Sequence, residues 1–159
     1  MRATRRFFFG AAAASLAAAR EQTAASDRIR VGFIGCGGMG TARIRHFLEH
    51  PDVEAAAVCD VDRRHLDRAA ALVESIRGRK PDAYGDFRRV LDRRDIDAVM
   101  IATPDHWHAL PAILACQAGK DVFVEKPFSY SIGEGRRMAE AARRHARVTQ
   151  MGNHIHNDL

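Results

Sequence analysis

The stretch VGFIGCGGMG, residues 31–40, places five glycines in ten residues at the end of an apolar run. Gly35, Gly37 and Gly40 have the spacing G-x-G-x-x-G, and Asp60 follows twenty residues after the last of them. Between a strand and a helix, such a loop offers backbone N–H groups and the positive end of the helix dipole to a pyrophosphate. The Asp60 carboxylate would accept hydrogen bonds from the adenosine ribose. The spacing predicts dinucleotide binding; the alternative is a plain strand-to-helix turn.

Neighbouring residues bear on the choice of cofactor. Gly38 and Met39 complete the loop and are further candidate cofactor contacts. Asp60 disfavours the 2′-phosphate of NADP by like-charge repulsion, whereas Arg63 and Arg64, just beyond it, could attract that phosphate. The same arginines could equally be exposed residues of a first helical turn. The sequence therefore favours NAD and leaves NADP open.

Two further polar segments each follow an apolar run. TPDHWH begins at Thr103 and EKP begins at Glu125, while Gly152 and Asn153 follow the last apolar run. Because the carboxyl ends of parallel strands share one edge of a sheet, these segments should converge beside the glycine loop.

Lys126 is the candidate catalytic residue. Oxidation of a carbinol requires hydride departure to a nicotinamide and removal of the hydroxyl proton. An ammonium group near the substrate oxygen can stabilise alkoxide character, and Glu125 and Pro127 would restrict the movement of the lysine. The alternative is an ordinary surface lysine that follows a strand.

Four histidines raise the question of a metal. His106 with His108 and His154 with His156 form two H-x-H pairs, but no carboxylate or cysteine at ligand spacing joins them. We predict no metal site. His108 is expected to pack or hydrogen-bond within its loop and is a further candidate cofactor contact, and Trp107 is expected to form core or pocket wall.

Apolar periodicity predicts alternating strands and helices. Strands are predicted at Ile29–Ile34, 53–58, Tyr84, 97–102, 122–124 and 148–151. Helices are predicted at 42–50, 62–77, 87–91, 110–118 and 131–145, the last opened by a capping box of Ser131 and Glu134. This order implies an α/β fold with a doubly wound parallel sheet, a Rossmann fold.

Length and charge narrow the class of protein. A chain of 159 residues with 47% hydrophobic residues can form one domain with a real core. The net charge of +5 comes mostly from Arg2, Arg5 and Arg6, because the remainder has 22 basic against 20 acidic residues. We therefore expect solvated helix faces and no nucleic-acid surface.

The first 26 residues are typical of an export signal. A basic head precedes an apolar run at 7–19 that is too short and alanine-rich for a good membrane span. Arg5 and Arg6 before Phe7 resemble the twin-arginine (Tat) pattern, which carries folded proteins to the periplasm or beyond. We expect no stable membrane insertion after cleavage; a frayed amphipathic helix and an uncleaved anchor are the alternatives.

The cysteine pattern fits folding before export. Cys36, Cys59 and Cys116 form an odd set without a CxxC pair, which argues against a disulfide framework. We expect all three to be small buried apolar side chains.

Together, the glycine loop, Asp60, the segment 102–108 and above all VEKP at 124–127 resemble the glucose-fructose oxidoreductase and inositol dehydrogenase family, Gfo/Idh/MocA, over residues 29–159. The resemblance implies an NAD(P)-binding domain of an enzyme that oxidises or reduces sugars or polyols. It places Lys126 near the nicotinamide and the substrate hydroxyl, with Glu125 shaping its loop. It also places Thr103 and Pro104 beside the nicotinamide ribose.

The resemblance further implies a second, α+β substrate domain after Leu159, so that residues 27–159 are the Rossmann domain alone. His154 and Asp158 have the residue types of the missing catalytic pair, but not its place. We expect this chain alone to bind cofactor weakly or not at all and to turn nothing over, and the full-length protein to be a homo-oligomer with a small carbohydrate substrate. Three functions stay open: an oxidoreductase, a glycosidase that uses NAD in a transient oxidation, and a non-catalytic cofactor-binding remnant.

Overall fold

The computed structural model of the protein describes residues 28–153. The predicted export signal, His154, His156 and Asp158 lie outside the described residues. Six strands form one sheet: β1 Ile29–Ile34, β2 Val53–Cys59, β3 Asp82–Tyr84, β4 Ala98–Ile101, β5 Asp121–Glu125 and β6 Thr149–Gly152. All neighbouring strands pair in parallel, in the order β3-β2-β1-β4-β5-β6. This is the Rossmann order, so the predicted fold is confirmed.

Helices cover both faces of the sheet. They are α1 Gly38–Phe47, α2 Arg63–Arg77, α3 Arg88–Leu91, α4 Ala109–Gln117 and α5 Ile132–Arg144, with a 3₁₀ turn at Asp105–Trp107. One core cluster joins α1 and α2 to the sheet around Phe33 and Val73, and the other joins α3, α4 and α5 around Ile101 and Met138. Because both faces are covered, the central strands are apolar without alternation.

Local sequence signals end and begin several helices as predicted. Gly78 and Gly119 follow α2 and α4 with φ angles of +68° and +76°, the left-handed conformation that glycine adopts without a Cβ penalty. At α5, the Ser131 side chain accepts from the Glu134 backbone N–H and the Glu134 side chain accepts from the Ser131 N–H. The predicted capping box is confirmed.

The predicted start of α1 is wrong by four residues. The helix begins at Gly38 rather than Ala42, and it ends at Phe47 rather than His50. Apolar periodicity could not reveal the first turn, because the glycine and methionine residues there do not form an apolar stripe. Gly37 is the extended N-cap, and its carbonyl accepts from the Thr41 N–H at 2.8 Å.

Within residues 28–153, no helix is both long enough and apolar enough to cross a membrane.

Candidate cofactor-binding site

The glycine loop is fastened to the centre of the sheet at two positions. Gly35 has φ +87°, and a Cβ there would lie 2.6 Å from the Ala102 carbonyl carbon and oxygen. A Cβ on Gly40 would lie 1.9 Å from the Gly35 carbonyl oxygen. Both glycines are therefore required by the chain itself: Gly35 lets β1 turn beside β4, and Gly40 lets α1 begin against that turn.

The middle of the loop is open instead. At Gly37 the nearest atom to an added Cβ is Cε1 of His65, 4.0 Å away, and at Gly38 no atom lies within 4 Å. These two positions border a cleft of about 840 Å³ at the carboxyl edge of the sheet. Since the protein does not fill this space, the absence of side chains leaves the backbone N–H groups of the first α1 turn accessible to a ligand.

Asp60 lies directly after β2, with only 11% of its side chain exposed. Its Oδ2 accepts from the Cys36 N–H at 2.7 Å, and its Oδ1 accepts from the Asp62 N–H at 2.8 Å. The carboxylate thus anchors the glycine loop to the end of β2 and also lines the cleft. A change to alanine would remove these two hydrogen bonds as well as any ribose contact, so Asp60 is a structural residue in addition to a candidate ligand.

The arginines beyond Asp60 are paired with carboxylates. Arg63 Nε lies 3.1 Å from Asp67 Oδ1, and Arg64 Nη2 lies 2.9 Å from Asp62 Oδ2. This pairing lowers the pKa of the Asp62 carboxyl, chiefly through the Arg64 side-chain hydrogen bond. Both arginines have strongly exposed side chains. They are exposed residues of the first α2 turn, each paired with a nearby acid.

The segment after β4 forms a further part of the cleft wall. Thr103, Pro104, His106 and Trp107 all line it, and Trp107 is 47% exposed. The Thr103 Oγ1 atom is buried without a hydrogen-bond partner among the described residues. The Thr103 hydroxyl oxygen itself is therefore closed to the cleft, which this segment lines together with the open Gly37 edge.

Lys126 lies at the same sheet edge but is exposed and does not line the cleft. Its support is buried: Glu125 accepts from the Lys126 backbone N–H at 3.2 Å and forms an ion pair with Nε of Arg43 on α1. The Arg43 guanidinium carbon lies 5.7 Å from the centre of the Phe123 ring. The loop that carries Lys126 is therefore tied to the helix that begins at the glycine loop.

His108 is buried and does not line the cleft. Its ring lies between two loops, with Nδ1 2.7 Å from the Pro127 carbonyl oxygen and Nε2 2.9 Å from the Thr103 carbonyl oxygen. The expectation that it hydrogen-bonds near its own loop is confirmed. As placed here, it supports the cleft wall and has no open face for a cofactor.

Most of the predicted cofactor contacts meet at one cleft. Its lining includes Gly35, Gly37, Gly38, Met39, Asp60, Thr103 and Pro104. Gly40 lies behind the loop, and Glu125, Lys126 and His108 lie outside the lining. Gly152, at the end of β6, lies close to Glu125, because a Cβ added to Gly152 would lie 3.0 Å from Glu125 Oε1.

Sequence reasoning missed His65. Its Nδ1 lies 3.7 Å from Asp60 Oδ2, and its ring borders the cleft opposite Gly37. The available signal was position: His65 lies in the first turn of a helix that starts directly after the Asp60 edge of the sheet. Phe87 and Arg88 also line the cleft, and they come from α3 and its N-cap, where no motif marked them.

The three cysteines are unbonded and buried. Burial raises the pKa of the Cys36 and Cys59 thiols to about 12 and also raises that of Cys116. In the part of the chain described by the structure, no group of three or more histidine, cysteine or acidic residues could hold a metal ion.

A family model described as an oxidoreductase family with an NAD-binding Rossmann fold, Gfo/Idh/MocA, matches residues 29–153. The chain belongs to this family. The match covers every strand and helix of the described structure, so the glycine loop and the cleft belong to the family's NAD-binding domain.

Curated relatives and solved structures agree with this placement. A glycosyl hydrolase family 109 protein of Shewanella pealeana is 38% identical over 122 residues, which cover 74% of this chain and 27% of that protein. An NAD binding oxidoreductase from Klebsiella pneumoniae is 32% identical with a TM-score of 0.66, over 79% of this chain and 34% of that one. The chain spans about a quarter of the length of the curated relatives that it matches.

A third similar structure contains ligands. Scyllo-inositol dehydrogenase from Lactobacillus casei, with bound NAD(H) and scyllo-inositol, is 27% identical with a TM-score of 0.70. The similarity covers 79% of this chain and 36% of that one.

Proposed function

We propose that the protein binds NAD in the cleft and uses it to transfer hydride to or from the hydroxyl-bearing carbon of a sugar or polyol. The observation that carries the proposal is the open Gly37 and Gly38 edge of a cleft of about 840 Å³ that Asp60 and Thr103 also line. A dinucleotide fits this arrangement because its pyrophosphate needs backbone N–H donors and its ribose hydroxyls need an acceptor.

The proposed cofactor is NAD rather than NADP. Asp60 is largely buried and holds a negative charge at the ribose end of the cleft, where a 2′-phosphate would be repelled. Arg63 and Arg64 already pair with Asp67 and Asp62, which leaves them less able to offset that repulsion.

The bound nicotinamide would supply the hydride acceptor or donor. This chain's part is to bind, to orient and to manage charge. Thr103 and Pro104 form the wall beside which the nicotinamide end would lie. The ammonium group of Lys126, on a loop that is tied through Glu125 to Arg43, would lie against the substrate hydroxyl, hold its oxygen in place and stabilise its alkoxide character.

The names of similar proteins support the proposed substrate class. A similar solved structure holds scyllo-inositol, a polyol, and the curated relatives are named as glycosyl hydrolases. Both names point to polyhydroxylated rings, so we propose a carbohydrate or polyol substrate.

The names of the curated relatives also favour a second candidate, an NAD-dependent glycosidase. Here hydride would leave the sugar, the aglycone and a neighbouring proton would be eliminated from the oxidised sugar, water would add to the resulting double bond, and the same hydride would return. The residues described above would have the same roles, and only the net outcome differs.

Two measurements test the proposal. Calorimetric titration of NAD and NADP into the full-length protein should show tighter binding of NAD, and the absence of binding by either would overturn the proposal. Incubation with free polyols and with chromogenic glycosides should then separate the candidates. Accumulating NADH with a free polyol identifies the oxidoreductase, whereas release of the chromophore without NADH identifies the glycosidase. Binding without either reaction would support the non-catalytic remnant.

We also propose export by the twin-arginine route, on the strength of Arg5 and Arg6 before an apolar run. Changing both arginines to lysine should hold the protein in the cytoplasm of a bacterial host, as measured by fractionation. Unchanged export would overturn the proposal.

A further inference from the structure

His108 connects two loops at the end of the cleft proposed for the nicotinamide. Sheet pairing between β4 and β5 reaches Ile101 and Val124, and beyond those residues the two chains leave the sheet. Nδ1 of His108 lies 2.7 Å from the Pro127 carbonyl oxygen, and Nε2 lies 2.9 Å from the Thr103 carbonyl oxygen. One ring therefore bridges the cleft wall to the loop that carries the candidate lysine.

The chemistry of these partners determines what the ring must supply. A backbone carbonyl oxygen can only accept, so each contact is a hydrogen bond only if the facing ring nitrogen carries a proton. A neutral imidazole has one N–H and one lone pair, and its lone pair would face a carbonyl oxygen at less than 3 Å. The imidazolium cation has two N–H donors, and hydrogen bonds from a charged donor are stronger than neutral ones.

We propose that His108 is a positioning residue, doubly protonated, which braces the Thr103 wall against the loop of residues 125–127. The brace sets the separation between the wall for the nicotinamide and the loop that carries Lys126. This proposal rests on the proposed function for its ligand, but not for the chemistry of the brace.

Nitrogen NMR of the protein labelled with ¹⁵N-histidine tests the chemistry at pH 7. A protonated ring nitrogen shows one-bond coupling to its hydrogen, and a bare nitrogen does not. His108 should show both couplings, while His46, an exposed ring whose Nδ1 lies 3.4 Å from Glu49 Oε2, provides the comparison at the surface. The His108 signals are assigned by their loss in His108→Gln, or by sequential assignment if that variant does not fold. A single protonated nitrogen would overturn the brace.

Ligand binding tests the positioning. ADP-ribose has the adenosine half and the pyrophosphate of NAD but lacks the nicotinamide. His108→Leu removes both donors and should lower NAD affinity about tenfold while leaving ADP-ribose affinity within about twofold of wild type. His108→Gln keeps amide donors and should be intermediate; it carries the test if the leucine variant does not fold. His46→Gln is the matched control on the surface and should change neither affinity.

Three outcomes count against the idea in different ways. Equal losses for NAD and ADP-ribose would show general support of the fold and overturn positioning. Unchanged NAD affinity in folded variants would overturn it as well. Wild-type protein that binds neither ligand would overturn the proposed function and with it the positioning, whereas the NMR result still decides whether the ring is doubly protonated.

Discussion

The glycine loop, residues 35–40, and the Lys126 loop, residues 125–127, lie at the same edge of the sheet but are built on different principles. In the glycine loop, the groups offered to a ligand are backbone N–H groups, fixed by close contacts among Gly35, Gly40 and Ala102. In the Lys126 loop, the group offered is an exposed side chain, and only its supports, Glu125 and Arg43, are buried. The glycine loop is held in place by its own backbone contacts, whereas the Lys126 loop presents a flexible charged side chain on buried supports.

This difference indicates which substitutions should affect the fold or cofactor binding and which should affect turnover. A change in the glycine loop acts on the fold or on the binding of the cofactor, depending on whether the added atom meets protein or open space. A change at Lys126 should spare both and act on turnover. Five substitutions or reagents separate these outcomes.

The largest effect is expected at Gly40. Gly40→Ala places a methyl group 1.9 Å from a backbone carbonyl oxygen, so α1 must move, and we expect a loss of about 3 kcal/mol or more in the free energy of unfolding. Gly38→Ala is the matched control within the same helix turn, with no atom within 4 Å, and it should unfold at or above the wild-type temperature. Equal melting temperatures for the two variants would contradict the steric role proposed for Gly40.

Lys126→Ala should lower turnover by about 10²-fold or more, the usual scale for a positioned proton-handling group. NAD affinity should stay within about twofold of wild type, because Lys126 does not line the cleft. Steady-state kinetics in a form of the protein that turns over substrate, with calorimetry beside it, gives both values. Retained turnover would remove Lys126 from the chemistry.

Asp60→Ala should affect fold and binding together. Loss of the carboxylate leaves the N–H groups of Cys36 and Asp62 without their acceptor, which should cost about 1–3 kcal/mol of stability. NAD affinity should fall as well. Denaturant unfolding and calorimetry measure the two effects, and Asp67→Ala, which removes an exposed carboxylate of α2, is the control. A variant as stable as wild type would show that the two hydrogen bonds contribute little.

Gly37→Ala should separate binding from folding. The added methyl group has open space, with its nearest protein atom 4.0 Å away, so stability should change by less than about 0.5 kcal/mol. The same methyl group projects toward the pyrophosphate and should weaken NAD binding about tenfold. If NAD binds the variant as tightly as wild type, the pyrophosphate does not approach this position.

The smallest effect is expected when the native protein is treated with a thiol reagent. Burial raises the pKa of Cys36 and Cys59 to about 12, so at pH 8 both remain as thiols, and neither is accessible. Native protein should therefore react with N-ethylmaleimide far more slowly than protein in denaturant, as followed by mass spectrometry. Fast modification of Cys36 in native protein would show that the glycine loop opens readily.

Sequence reasoning was strongest where the local pattern and the fold make the same demand. The alternation of strands and helices, the capping box at Ser131 and the glycine loop each follow from residues whose types have few other uses. It was weakest where a contact joins distant segments. The bond from Asp60 to Cys36, the ion pair of Arg43 with Glu125 and the bridging ring of His108 depend on tertiary placement, which periodicity does not encode.

Asp60 has a consequence for anyone who would convert the protein to NADP. Shortening or neutralising this side chain is the obvious route to admitting a 2′-phosphate, but the same carboxylate anchors the amides of Cys36 and Asp62. A redesign would have to provide a substitute acceptor beneath the turn, such as an uncharged amide of similar length, before the new cofactor could gain from a guanidinium nearby. The proposed preference for NAD and the integrity of the loop depend on the same residue, so a single substitution should fail to switch the cofactor.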